Sequence, residues 1–285
     1  MVIKKIIITG ANGFIGNYLV NFLRKNGHEV LPFLRKPDLD KGEFFYEING
    51  VINESIVAAS DILIHCAFIP KVKNGNAIEQ NIVGTQKLIA ACKKHKVKFI
   101  FFSTLSAHAA AESDYGKHKL LLESKLDLEI DAILKPGLVI GNGGLFGRML
   151  AFSKKFRTVP LIDGGKQPLQ FIALSDVAQS TQKIIENNLS GSFTLVSDEP
   201  MTYRQFYKTI GEAFGIRLLF VWIPVNIILF SLGLFDRMKI KIPVSKENLL
   251  GLKNMAFIDP GNGMERIGIN PLKLKDTLEN LKAKL

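Results

Sequence analysis

The sequence predicts an α/β fold, a doubly wound parallel sheet over residues 1–187 followed by a smaller C-terminal lobe over 188–285. Three observations carry that prediction. Short apolar runs alternate with amphipathic, helix-length stretches. The first run ends in a glycine turn that leads directly into a helical pattern. Several runs are apolar throughout, as strands covered on both faces are.

Ile6-Ile7-Ile8 reads as a buried parallel strand. Thr9-Gly10-Ala11-Asn12-Gly13-Phe14-Ile15-Gly16 follows it, and then the amphipathic Tyr18-Leu19-Val20-Asn21-Phe22-Leu23. Strand, glycine turn and helix form the opening of a Rossmann-type unit. The first glycine permits the turn, the second lets backbone approach a pyrophosphate, and the third allows close packing of helix on strand. The spacing is G-x-x-G-x-x-G, one residue longer than the usual dinucleotide fingerprint. Gly27 to Arg35 reads as a second strand ending at a cation. An acidic residue there would hold the 2′-hydroxyl of NAD, whereas arginine suits the 2′-phosphate of NADP. Arg35 therefore favours NADP, with NAD as the alternative.

A weaker strand at Phe44 to Glu47 leads through Asn49-Gly50 to a helical stretch ending at Ala59. Asp61 to Ala67 reads as the next buried strand, within which His65 and Cys66 face opposite ways and so form no metal pair. Asn81-Ile82-Val83-Gly84-Thr85 is expected to open a helix running to about His95. Lys98 to Ser106 reads as a strand that ends in hydroxyl residues, at the edge where parallel sheets bind ligands. Tyr115 and Lys119 then lie four apart on a helix and share one face. A nearby cation favours an ionised phenol and lowers its pKa. Asp131 to Gly137 supplies another strand with a Pro-Gly stop, and Gly141-Asn142-Gly143-Gly144 reads as a loop.

The formal charge of +11 and pI near 9.5 suit anionic company such as nucleotide phosphates. The basic runs, Lys93 to Lys98 and Lys154-Lys155, lack interleaved aromatics, which argues against a nucleic-acid partner. Cys66 and Cys92 stand well apart, so no disulfide framework and no metal site is indicated. With no export leader at the N-terminus, a reducing cytoplasmic setting is expected.

Taken in order, these segments resemble the extended short-chain dehydrogenase/reductase family, the NAD-dependent epimerases and dehydratases. Thr9 to Gly16 is similar to the family's T-G-x-x-G-x-x-G loop, Asp61 to Ala67 to D-x-x-x-H-x-A, and Asn81 to Thr85 to N-x-x-G-T. Ser103-Thr104 matches the hydroxyl strand end, Tyr115 and Lys119 the catalytic pair, and Lys135-Pro136-Gly137 the R-P-G turn with lysine for arginine. Phe171 to Ala178 resembles F-V-x-V-x-D-V-A, and Ile267 to Pro271 resembles L-G-x-x-P. The resemblance implies that Tyr115 is the general acid/base, that Thr104 binds the reacting oxygen with Ser106 as a second donor, and that Lys119 holds the nicotinamide ribose. It implies a dinucleotide held by Gly10, Asn12, Gly13, Phe14, Ile15, Gly16, Arg35, Asp61 beside the adenine, Ala67, Asn81, Lys119 and Pro136. Residues 141–169 would contribute to the substrate side, and the C-terminal lobe would bind substrate.

The same resemblance implies an NAD(P)-dependent oxidoreductase or epimerase acting on a nucleotide-linked sugar, as a homodimer. Ala107-His108-Ala109 departs from the V-Y-G of the family's epimerases, and the link from Thr104 to Tyr115 is short. Leu105-Ser106 stands where dehydratases resemble one another in carrying Asp-Glu, which disfavours 4,6-dehydration. A dehydrogenase of apolar alcohols and a non-catalytic cofactor-binding subunit are the alternatives. Gly191 to Val196 reads as a strand and Thr202 to Phe214 as a helix. Leu218 to Phe235 approaches the ~20 apolar residues a membrane span needs, but Pro224 and Asn226 interrupt it. A lobe over the active site or a subunit contact is the favoured reading there, and peripheral membrane contact the less favoured one.

Overall fold

The computed structural model describes residues 2–70, 76–224, 257, 259 and 261–283. Its central sheet has seven strands, all parallel, in the order β11-β6-β5-β4-β1-β2-β3. These are β1 (Lys5–Thr9), β2 (Glu29–Leu34), β3 (Phe44–Phe45), β4 (Ile62–His65), β5 (Lys98–Phe102), β6 (Ala132–Pro136) and β11 (Gly191–Leu195). The chain winds outward from β1 in one direction and then from β4 in the other, so strand order reverses between them. A ligand crevice forms where such a reversal leaves the carboxyl ends of two strands uncovered.

Period-two alternation divides the core. Ile6 and Ile8 point to the layer built by α1 (Phe14–Lys25) and α6 (Leu174–Glu186), where Leu19, Leu23, Val177 and Ile184 are buried. Ile7 points to the opposite layer, with Leu88 and Cys92 of α3 (Ala77–His95) and Leu122 of α4 (Asp114–Glu123). The wholly apolar strands follow from this double cover. α2 (Glu54–Ala58) completes that second layer.

A third core forms the lobe. It joins α5 (Gly144–Phe156), α7 (Tyr203–Phe214) and α9 (Leu274–Lys282) through Phe146, Leu150, Phe206, Ile210, Leu274 and Leu278. Short strands frame it: β7 (Leu138–Ile140) with β10 (Phe171–Ala173), β9 (Pro168–Leu169) with β12 (Met201–Thr202), and β8 (Thr158–Ile162) with β13 (Leu219–Ile223).

The expected boundary at 187/188 does not follow the sheet. β11 lies beyond it yet pairs with β6, and Met264 and Ile267 of α8 (Gly263–Ile267) pack into the first core. The Leu272 N–H donates to Asp176 Oδ2 at 2.8 Å, so the C-terminal tail is tied to α6. The lobe core in turn draws on residues before 187, because the chain crosses between the two bodies more than once. Of the apolar stretch 218–235, residues 218–224 are described and 225–235 lie outside the described residues.

Candidate active site

The glycine loop occupies the crevice between the carboxyl ends of β1 and β4. Gly10 has φ +67°, and a Cβ there would stand 2.7 Å from the Ala67 nitrogen. A side chain at Gly16 would meet the Gly10 carbonyl oxygen at 2.3 Å, so α1 packs directly on the turn. Gly13 N-caps α1, a twelve-residue helix with no side-chain cap and no acidic residue in its first turn. Its first N–H groups and positive dipole end are thus directed at an exposed, side-chain-free cradle. That is a fit for a dinucleotide pyrophosphate, with Asn12 and Gly13 exposed at the rim. Ile15 packs against the first core. Phe14 has its own socket: Cβ atoms at Gly141, Gly143 and Gly144 would lie 2.9, 2.8 and 2.6 Å from its ring. The glycine run before α5 is therefore shaped around a side chain of the nucleotide loop.

Beneath the loop, Thr9 Oγ1 and His65 Nδ1 are hydrogen-bonded at 2.7 Å, and His65 Nε2 and Thr85 Oγ1 at 3.0 Å. Burial pushes His65 down to about 3, so it stays neutral and joins β1, β4 and α3. This is a core role rather than a metal role.

Four cofactor assignments land differently from one another. Arg35 is exposed just beyond the carboxyl end of β2, which pairs with β1. Asp61 does not lie near an adenine site. It precedes β4 at the amino edge of the sheet, where its Oδ2 accepts from the Lys5 N–H at 2.7 Å and Lys4 lies 3.7 Å away. The length of β1, about 13 Å, separates it from the glycine turn. Asn81 sits in the second turn of α3, not at its start, because Asn76 is the N-cap. Its amide donates to the Ile69 and Ala77 carbonyls at 2.8 and 2.6 Å and its oxygen accepts from the Ile69 N–H at 2.9 Å. Asn81 thus fixes the loop after β4 and acts on the crevice through it. Pro136 is buried at the carboxyl end of β6, in register with Leu195 of β11.

The catalytic candidates converge through backbone contacts. Ser113 N-caps α4, accepting from the Gly116 N–H at 3.1 Å. A Cβ at Gly116 would stand 2.2 Å from the Ser106 carbonyl oxygen, so α4 begins pressed against the turn after β5. In that turn Thr104 Oγ1 accepts from the Ser106 N–H at 3.3 Å, which leaves the threonine proton free to be donated. Lys119 Nζ donates to the Phe102 carbonyl at 2.6 Å and lies 4.4 Å from the Phe101 ring centroid. Tyr115 meets the edge of Phe68 at 5.0 Å between centroids. Phe68 adjoins Ala67, so a continuous run of contacts leads from Gly10 to the tyrosine.

Burial dominates the electrostatics. It raises Tyr115 to about 12 and depresses Lys119 to about 8. The expected lowering of the phenol by Lys119 is not what this arrangement displays: burial alone moves the tyrosine, and the ammonium is directed at the Phe102 carbonyl. Between pH 8 and the ordinary lysine value of 10.5 the folded chain binds fewer protons than the unfolded one at Lys119. Stability from this group therefore rises as pH climbs through that window, and below about 8 the cost of burying the charge is present in full. Lys119→Met is expected to flatten that part of the stability–pH curve in denaturant titrations; an unchanged slope would show a solvated ammonium.

Two contributors escaped the sequence reading. Phe68 is one. The other is Glu123, four residues beyond Lys119 on α4, which accepts from Ser103 Oγ and pairs with Lys135 Nζ at 3.0 Å. Lys135 also donates to the Ala107 carbonyl at 2.6 Å. The pair thus pins both sides of the turn that carries Thr104, and its side chains are only 11% and 17% exposed. Glu123→Ala is expected to cost about 2 kcal/mol in denaturant melts by stranding these donors, and to lower turnover with them. Lys135→Arg keeps the pair and should retain both.

The sequence pattern of the NAD dependent epimerase/dehydratase family matches residues 6–126. A probable low-salt glycan biosynthesis reductase of Haloferax volcanii is 25% identical over 240 residues, covering 73% of this chain and 79% of the relative. A UDP-2-acetamido-2,6-beta-L-arabino-hexul-4-ose reductase of Pseudomonas aeruginosa is 23% identical over 221 residues, covering 73% of this chain and 55% of that protein. Among solved structures, the human epimerase family protein SDR39U1 with NADPH superposes with a TM-score of 0.76 at 19% identity, covering 99% of this chain and all of the other, a likeness of fold. The match to the NAD dependent epimerase/dehydratase family runs through residues 6–126, which hold the glycine cradle, the Thr104 turn and the Tyr115–Lys119 helix.

Proposed function

We propose that the chain is an NADP-dependent oxidoreductase or epimerase acting on a hydroxyl or ketone of a nucleotide-linked sugar. The observation that carries this reading is the juxtaposition of Tyr115, Lys119 and the Thr104 turn with the glycine cradle, through Phe68 and Ala67. Names of relatives support the substrate class and the reductive direction, since two of them are reductases and one acts on a UDP-sugar.

When bound, the dinucleotide supplies or accepts the hydride. Gly10, Gly13, Gly16 and the α1 N-terminus hold its pyrophosphate, and Arg35 meets a 2′-phosphate. Thr104 donates its free proton to the substrate oxygen and so fixes it beside the phenol. Tyr115, protonated at neutral pH like any phenol and held more firmly so by burial, delivers its proton to that oxygen as it gains charge, and takes one from a hydroxyl in the reverse direction. Lys119 compensates the phenolate that results.

Arg35→Ser tests the cofactor preference. It is expected to weaken NADPH at least roughly ten-fold in fluorescence titrations, the scale of one charge-assisted contact to phosphate, and to leave NADH nearly unchanged. Equal loss for both would remove the 2′-phosphate role. A thermal-shift panel of UDP-, dTDP- and GDP-sugars beside sterols tests the substrate class; stabilisation by sterols alone would replace the sugar with an apolar alcohol.

A further inference from the structure

Phe14 is engaged twice. It is the first residue of α1 after the Gly13 cap, so its N–H belongs to the group directed at the pyrophosphate cradle. Its half-buried ring lies against the glycine run that opens α5. A Cβ at Gly144 would stand 2.6 Å from ring carbon Cδ1, one at Gly143 2.8 Å from Cδ2, and one at Gly141 2.9 Å from Cζ. Gly143 and Gly144 have φ of +146° and +60°, which suit glycine on their own account. Gly141 has no positive φ, and what its missing side chain makes room for is the Phe14 ring and Leu174, 3.1 Å from the same Cβ.

The segment around the ring has little stiffness of its own. Glycines lose more freedom on ordering than other residues do, and residues 141–147 include four of them. α5 has no side-chain N-cap and no acidic residue in its first turn. That turn closes through the Gly147 N–H, which donates to the Gly143 carbonyl at 2.8 Å. Beyond it α5 places Phe146, Met149 and Leu150 in the lobe core. The Phe14 ring therefore bridges the nucleotide loop and the first helix of the lobe.

We propose that Phe14 is a positioning residue through which the bound dinucleotide sets the start of α5, so that the substrate-side wall takes its final form only with the cofactor in place. A pyrophosphate on the α1 N–H groups fixes the Phe14 backbone, and the ring then holds the glycine run where the two meet. Before the dinucleotide binds, loop and run are free to shift together. Such coupling is reciprocal: if the dinucleotide steadies α5, a displaced α5 weakens the dinucleotide by the same factor. Packing alone accounts less well for the ring, which stays half-buried at the rim of the cradle while Phe33 and Phe146 are enclosed. The proposal rests on the dinucleotide reading of the glycine cradle and is independent of the substrate.

Amide hydrogen exchange of the full chain, with and without NADPH, separates these roles. In the parent chain NADPH is expected to slow exchange at 10–16 and also at 147–150, whose amides bond back onto the carbonyls of 143–146. The second slowing should be about five-fold or more, the lower end of couplings between sites. Phe14→Ala is expected to keep the slowing at 10–16 and lose it at 147–150, and Phe14→Leu, which refills the socket, to restore it. Gly144→Ala acts from the other side. It lies outside the nucleotide loop, yet it should weaken NADPH about five-fold in calorimetric titrations, and it decides the question if Phe14→Ala fails to fold. Slowing at 10–16 alone in the parent, equal slowing at 147–150 in Phe14→Ala, or parental NADPH affinity in Gly144→Ala would overturn the proposal. Slowing at neither segment would remove the dinucleotide reading itself, and the proposal with it.

Discussion

Tyr115→Phe lowers turnover roughly 10³-fold and leaves dinucleotide binding and melting temperature close to those of the parent chain. The substitution removes one oxygen and keeps the ring, so the edge contact with Phe68 persists. The glycine cradle is untouched, because Tyr115 reaches it only through Phe68 and Ala67. Proton transfer is what disappears, since Thr104 can hold the reacting oxygen but has no tendency to ionise near neutral pH. Steady-state rates with saturating cofactor check this, beside a titration of the variant with NADPH. Persisting turnover would place the acid/base elsewhere; lost cofactor binding would mean that the phenol holds the dinucleotide rather than the substrate.

Gly16→Ala abolishes dinucleotide binding, weakening it about 100-fold or more, whichever cofactor is used. The added Cβ would stand 2.3 Å from the Gly10 carbonyl oxygen and 2.9 Å from its carbon. Both are backbone atoms of a turn already held in the left-handed region, so no side chain can rotate aside. α1 must then lift from the turn, and its N-terminus leaves the position from which its N–H groups meet a pyrophosphate. Titration with NADPH and NADH measures the loss, with circular dichroism to confirm that the sheet persists. Binding at parental affinity would show that the cradle does not hold the cofactor.

Much of this was legible in the chain because its strands are buried on both faces. Ile6-Ile7-Ile8 announces itself as such a strand, and only a tight glycine turn can follow it into α1. Tyr115 and Lys119 are legible for a related reason, since four residues on a helix return to one face. Asp61 was misplaced although the information was present. A residue preceding a parallel strand lies at the amino edge of the sheet, opposite the crevice where ligands bind, and Asp61 precedes Ile62. Glu123 continues the spacing of Tyr115 and Lys119 by four more residues, but its partners come from elsewhere in the chain, Ser103 from the turn after β5 and Lys135 from β6.

The socket around Phe14 was not legible at all. Gly141, Gly143 and Gly144 read as a flexible loop, and nothing local ties them to a side chain some 130 positions earlier. The lobe shares that difficulty: its core is assembled from segments on either side of β11, so no single stretch displays its full apolar face. The effect of Lys119 on the tyrosine also depended on something sequence does not carry, the depth at which both groups are buried.

Calorimetric titration of the full chain with NADPH and NADH tests the central claim most directly. The account predicts saturable binding at one site, tighter for NADPH, and lost in Gly16→Ala. Failure to bind either dinucleotide would contradict it.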